Sequence, residues 1–302
     1  MYYIIIYDNL DEKFIDWLAN KNRYYNTLVD RIVPGYPRND AEKIWEKLGY
    51  VDNFMVKGEI FHLWVIEDHH NLEARFPASK ILNVKFVDDV TLYKQRKVKI
   101  LNGSHTLMVP VSYLAGHDTV LETMNDPKLL RFVKGFIFKE VIPTIDLPRN
   151  DMIAFANSVL ERYANPFVRH ELMSISLNSV TKYKTRILDS VTKNLSMGVF
   201  PKNALYSLAA LIVFYKGSRN GEVIKLSDNP EFLELFSNLW TAYDNKEITS
   251  DEVVSKVLGL KEHWEADLTT DEVLSYVQKC VKLILEKGMI NDFFEEELNY
   301  QD

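Results

Sequence analysis

Lys97, Asn102 and His105 follow one another at offsets of five and three residues in the stretch Lys97–Pro110. A lysine carries a proton that burial can loosen from its usual pKa near 10 towards neutrality. An asparagine amide and an imidazole offer hydrogen bonds to an oxygen. Gathered on one carbonyl, the three could do acid–base chemistry, with Lys97 giving the proton and Asn102 and His105 polarising the oxygen. A plainer reading fits the same spacing: Asn102 caps a helix, Lys97 is solvated, and His105 is an ordinary first-turn residue. Asn102-Gly103 is a turn signal, and the apolar pattern after it is helical, with Asn102 or Ser104 as N-cap. The expectation is therefore a chain that arrives as Val98–Leu101 and turns into a helix here.

The elements around this stretch follow from the apolar pattern. Thr27–Val33 is short and β-branched, a strand by propensity, and Pro34-Gly35-Tyr36-Pro37 forces a loop after it. Asn39 or Asp40 can cap a helix through Leu48 that ends at Gly49. Glu59–Glu67 and Leu82–Val87 read as further strands, and Asp88–Lys94 as a helical turn. Met1–Tyr7 is β-rich but precedes a helical pattern, and is read as helix. From Lys97 onward the pattern is helical: His105–Leu114, two helices within Thr119–Val141 broken near Asp126-Pro127, Asn150–Tyr163, a long Phe167–Leu188, Pro201–Lys216, Pro230–Tyr243, Ser250–Leu258 and Thr270–Lys287. Phe293–Asp302 is acidic and reads as frayed. The fold class is mostly α: residues 1–96 as the remnant of an α/β domain, then an all-helical domain over 97–302.

Composition narrows the function classes. With 302 residues, 47% hydrophobic and 26% charged, this is a soluble globular chain. A net charge of −7 argues against a nucleic-acid partner. The single cysteine, Cys280, excludes an intrachain disulfide, fits a reducing cytoplasm, and lies on the apolar face of Thr270–Lys287. The apolar run Ala204–Tyr215 is too short to span a bilayer, and Met1–Tyr7 lacks a basic flank and a cleavage site, so no membrane partner is expected. His62, His69 and His70 lack metal-ligand spacing, so no metal is expected.

Lysine, four residues, asparagine, two residues, histidine resembles the signature of the long-chain polyol and sugar-acid dehydrogenases, the mannitol dehydrogenase family. Asn26–Pro37 resembles that family's other hallmark segment. Lys94–Thr106 and Phe214–Glu222 are similar to its tagaturonate reductase (altronate oxidoreductase) branch, and the likeness runs from about Phe14 to Met289. It implies an NAD-dependent, metal-independent reduction of D-tagaturonate to D-altronate, with a Rossmann-type remnant ahead of the helical dehydrogenase domain. Lys97 would be the acid–base group and Asn102 and His105 the oxyanion partners. For this Lys97 must be neutral part of the time, which a neighbouring cation such as Lys94 or Lys99 would favour. Asn26, Asp30, Asn165 and Lys182 would lie near the substrate.

Two departures bear on the branch. The mannitol type has a Glu three residues before its catalytic lysine, where this chain has Lys94, and an Arg eight residues before Lys182, where this chain has Ser174. Both speak against a plain polyol substrate, and Lys94 in place of an acid favours an anionic sugar acid, with Lys94, Arg169 or Lys182 reading its carboxylate. Fructuronate reductase, a mannitol-type dehydrogenase and an inactive helical fragment are the alternatives. The charge series Arg162, Asn165, Arg169, His170, Lys182 and Arg186 otherwise reads as a solvated helix face, and Asp30 and Arg31 as a structural ion pair. The resemblance also implies that most of the glycine-rich cofactor unit lies upstream of Met1, so that the chain alone is expected not to bind a dinucleotide.

Overall fold

The computed structural model describes residues 11–298. The chain divides into two compact units, one made of residues up to Arg31 together with Ile60–Lys94, the other of Ile32–Glu59 and Gln95 onward. The expectation for Met1–Tyr7 lies outside the described residues.

The first unit holds a three-stranded sheet. Strand β1 (Thr27–Asp30) pairs antiparallel with β2 (Leu63–Glu67), Leu28 opposite Val65, and β2 pairs parallel with β3 (Val84–Val87), Trp64 opposite Val84. The strands are shorter than the apolar runs predicted. Leu28, Leu63, Val65 and Val90 form a small core of their own. The helix Glu12–Lys21 is capped by Asp11 and buries none of its residues.

The second unit is helical, as the period of its apolar residues predicts. A helix that is apolar all round must be buried, and Lys202–Phe214 is such a helix: every residue from Asn203 to Phe214 is buried. Gly103–Leu114 lies against it, buried from Gly103 to Ser112, and the Ser207 hydroxyl donates to Leu107 O at 2.8 Å. The amphipathic Asp271–Lys287 presents Val273, Val277, Cys280, Val281 and Ile284 to the core. Burial pushes the Cys280 thiol up to about 12, so this cysteine is a packing residue. Helix starts are well specified. Thr119 with Glu122 and Thr249 with Glu252 form capping boxes, and Asp126 caps a helix that begins at Pro127. Buried Glu140 accepts the N–H groups of Asn203 and Ala204, which have no partner within their own helix. Among the described residues no helix is long and apolar enough to cross a membrane.

Three local expectations are corrected. The chain does not turn at Asn102-Gly103: it is helical from Thr91 to Leu114, and neither Asn102 nor Ser104 caps anything. Phe167–Leu188 is not one helix. It holds a single turn, Leu172–Ile175, then a break at Asn178, whose φ of 54° is left-handed, and helix resumes at Ser179. Over its described residues the acidic tail is not frayed, because Asn291 caps the helix Asp292–Glu297 and Phe294 and Leu298 are buried.

Candidate active site

The geometry of the Lys97–His105 stretch rests on an irregular turn. In an α-helix, at about 100° per residue, residues five apart stand roughly 140° apart around the axis. Lys97–Asn102 is instead a π turn, bonded i to i+5, which brings residues five apart back to one side. His105 lies three residues beyond Asn102 in regular helix and so shares its face. One π turn followed by one α turn thus sets residues at offsets of five and three on neighbouring parts of the helix surface. The widened turn is pinned from outside. Tyr163 OH donates to Leu101 O at 2.6 Å, and the Ser104 hydroxyl donates to Ile100 O at 2.5 Å and lies 2.9 Å from Tyr163 OH.

Gly103 is where the sequence chemistry was misread. A Cβ on it would stand 3.3 Å from Arg186 O, 3.5 Å from Val98 O and 3.7 Å from Phe136 Cε1. Arg186 and Phe136 belong to two further π segments, Lys184–Leu188 and Phe136–Val141. Glycine here serves a close backbone approach, not a turn.

His105 is buried, and its Nε2 has no hydrogen-bond partner among the described residues. Tyr163 stacks on the ring at 4.3 Å between centroids, and His170 meets it edge-on at 5.0 Å. Burial holds the His105 imidazole well below its ordinary value, helped by His170, Arg186, Arg162 and Lys97 in that order. Burial also lowers His170, to about 4. Both rings are therefore neutral at physiological pH. Arg162 is tied to the buried Glu59, Nη2 to Oε1 at 2.7 Å and Nε to Oε2 at 3.1 Å. Arg186 Nη1 donates to Thr106 Oγ1 at 3.2 Å. The cations beside His105 are thus Arg162, Arg186 and half-buried Lys97. Lys99, expected as a neighbouring cation for Lys97, is bound instead to Asp189 at 2.5 Å.

The two depressed histidines set a pH dependence. A histidine whose folded value is lowered is charged first in the unfolded chain, near pH 6.5, so its contribution to stability is full above 6.5 and is lost as pH falls. Each ring is expected to cost up to about 2 kcal/mol by pH 5. An NMR titration of the imidazole carbons checks this: both rings should stay neutral from pH 8 to pH 5, and a midpoint near 6.5 at either would contradict it.

The other predicted residues divide between the two units. Within the first unit, Asn26 Nδ2 donates to Glu67 Oε1 at 3.0 Å, Asp30 is buried at the end of β1, and Lys94 is exposed. In the helical unit, Asn165 Oδ1 accepts the Phe167 N–H, and Lys182 Nζ donates to Ile175 O at 2.9 Å. Exposed Arg169 pairs with Glu171 at 2.5 Å, beside a cavity of about 290 Å³ lined also by Pro34–Asp40, Lys57 and Ser174. Among the described residues no group of three or more His, Cys, Asp or Glu could hold a metal ion.

Phe214–Glu222 has a bracing role. After the helix ends, Asn220 and Gly221, with φ of 52° and 83°, make the two-residue turn of a hairpin between Ser218–Arg219 and Glu222–Val223. From it Arg219 Nη1 reaches Tyr113 O at 3.2 Å, His117 O at 3.3 Å and Asp118 Oδ1 at 2.8 Å, with its guanidinium 3.9 Å over the Tyr113 ring. It thereby holds the C-terminal end of Gly103–Leu114. Reasoning from sequence missed Glu59 and Tyr163 altogether. His170 and Arg186 were visible only as members of a charge series.

The chain matches the mannitol dehydrogenase C-terminal domain over residues 89–285 and the mannitol dehydrogenase Rossmann domain over residues 3–80. It is 46% identical over 283 residues to the altronate oxidoreductase of Escherichia coli O7:K1, covering 93% of this chain and 59% of that relative. The chain thus spans about three-fifths of that relative's length. Its fold is similar to Pseudomonas fluorescens mannitol 2-dehydrogenase, solved as a ternary complex with NAD and D-mannitol, at a TM-score of 0.77 and 23% identity over 92% of this chain and 55% of that one. A D-sorbitol dehydrogenase in substrate-free form superposes with a TM-score of 0.74 at 24% identity, over 92% of this chain and 56% of that one.

Proposed function

The chain belongs to the mannitol dehydrogenase family, and from that premise we propose that it serves the reversible NAD-dependent reduction of a sugar-acid ketone, with D-tagaturonate and D-altronate as the reacting pair. The observation that carries the reading is the buried, unpartnered Nε2 of His105, set among Lys97, Arg162 and Arg186. A buried polar atom without a partner is costly, and a substrate oxygen would satisfy it. The likeness to altronate oxidoreductase supports the choice of substrate.

In this reading the carbonyl oxygen lies against His105 and Asn102, whose donors stabilise the negative charge that develops on it. Lys97 Nζ gives its proton to that oxygen as the carbonyl carbon becomes a secondary alcohol, and takes it back in oxidation. Reduced NAD supplies the hydride. No residue is assigned to hold it, because the described strands carry no glycine-rich turn opening a helix at which a pyrophosphate could sit. His105, neutral by burial, acts as a hydrogen-bonding group rather than as a second acid.

A substrate panel tests the proposal. With NADH, kcat/KM for tagaturonate is expected to exceed that for fructose, a neutral ketose, by a factor of about 30 or more, as a buried charge contact worth 2–5 kcal/mol requires. Equal rates with the two would remove the sugar-acid reading. A preference for fructuronate would move the chain to the neighbouring branch.

A further inference from the structure

Three cations surround His105, and they differ in what neutralises them. Arg162 is held by Glu59 through a two-pronged ion pair. Lys97 is the acid–base group of the proposed reaction. Arg186 is half-buried, and its one side-chain bond is to a neutral hydroxyl, Thr106 Oγ1 at 3.2 Å; no carboxylate among the described residues pairs with it. Lys182, one turn before it, donates to a backbone carbonyl and, among the described residues, pairs with no carboxylate. A guanidinium withdrawn from water without a counter-ion is unfavourable unless an anion arrives from outside. Its planar fork also fits a carboxylate at two points, which an ammonium cannot do.

The backbone of Arg186 packs close against the segment that carries His105. It lies on the π segment Lys184–Leu188, and its own carbonyl is the nearest atom to where a Cβ on Gly103 would stand. Its charge bears on His105, and it shares that surrounding with Tyr163. Arg169, the arginine expected from the sequence to read an anion, is exposed and already paired with Glu171.

Resting on the sugar-acid reading above, we infer that Arg186 is the specificity-determining anchor for the substrate's carboxylate, with Lys182 adding a second positive charge one helical turn away. The reacting carbonyl and the carboxylate are then held by adjoining segments, one carrying His105 and the other Arg186. The proposal explains why a polyol with no carboxylate would leave the site with an unneutralised cation.

Calorimetric titration of the purified chain, with and without NADH, tests it using D-altronate and the uncharged alditol D-altritol. The wild-type chain is expected to bind altronate at least about 10-fold more tightly than altritol, the range for a hydrogen bond to a charged group. Arg186→Gln should abolish that preference, bringing the two ligands to about the same affinity. Arg186→Lys, which keeps the charge but not the fork, should restore part of it and carries the test if the glutamine variant does not fold. A wild-type preference that survives in Arg186→Gln, or in Arg186→Lys at full strength, overturns the role of Arg186 and leaves the sugar-acid reading standing. A wild-type chain that binds both ligands alike, or neither, overturns both.

Discussion

Replacing Lys97 by alanine in a catalytically active preparation containing this chain is expected to lower kcat by a factor of roughly 100 to 10,000, the span for loss of a positioned acid–base group. The reasoning is that neither neighbour can take over the proton. His105 is held neutral by burial and by the cations around it. Arg162 and Arg186 are guanidinium groups that do not give up protons near neutrality. The loss should therefore fall on kcat, with the affinity for NADH close to unchanged, because in the proposed mechanism Lys97 acts at the carbonyl oxygen. A small primary amine added to Lys97→Ala should restore part of the rate, and the pH profile of the residual reaction should lose the limb that Lys97 contributes. A variant with near-normal turnover would take Lys97 out of the mechanism.

How much of this was legible in the sequence varies with the length scale. The fold class was readable because the apolar residues of Asp271–Lys287 repeat with helical spacing, because Pro201 and Gly217 bracket the apolar run that holds Lys202–Phe214, and because Pro127 marks a helix start. The residue types at Lys97, Asn102 and His105 were readable as candidates for carbonyl chemistry, the role proposed for them above. The turn that unites them was not, since nothing in the composition of Lys97–Asn102 distinguishes a π turn from an α turn. The Asn-Gly pair pointed the wrong way, because glycine serves close packing as readily as it serves turns. Asn178 broke the supposed long helix by a left-handed φ that its side chain tolerates but does not announce. Arg186 looked like one more solvated charge, because a helix pattern says nothing of which cations lack an acid. Glu59 lay beyond reach for a different reason: its partner is 103 residues away in the chain, and such a pairing leaves no local trace.

That pair carries the largest expected effect on stability. The side chains of Glu59 and Arg162 are 3% and 8% exposed, and besides the two-pronged contact Glu59 Oε1 accepts the Ile32 N–H at 2.6 Å. Glu59 N in turn donates to Ile32 O at 3.1 Å, and Lys57 N to Gly35 O at 3.0 Å, so the carboxylate fixes both ends of the Ile32–Glu59 segment and ties them to the helix Arg149–Tyr163. Glu59→Ala removes one partner of a buried ion pair and leaves a guanidinium in low dielectric, a change that costs about 3–5 kcal/mol. It also orphans the Ile32 N–H. Much of that cost is the penalty of the stranded Arg162 rather than the worth of the pair. The double variant Glu59→Leu with Arg162→Met is therefore expected to recover most of the lost stability, as a double-mutant cycle in urea unfolding would read it. Activity should not return with stability, because Arg162 is also one of the cations that bear on His105. A Glu59→Ala chain within about 1 kcal/mol of wild type, below the range for breaking a buried pair, would show that water reaches Arg162 and that the pair does not organise the site. Recovery of both stability and turnover in the double variant would instead separate Arg162 from the chemistry and leave Lys97, Asn102, His105 and Arg186 to carry it.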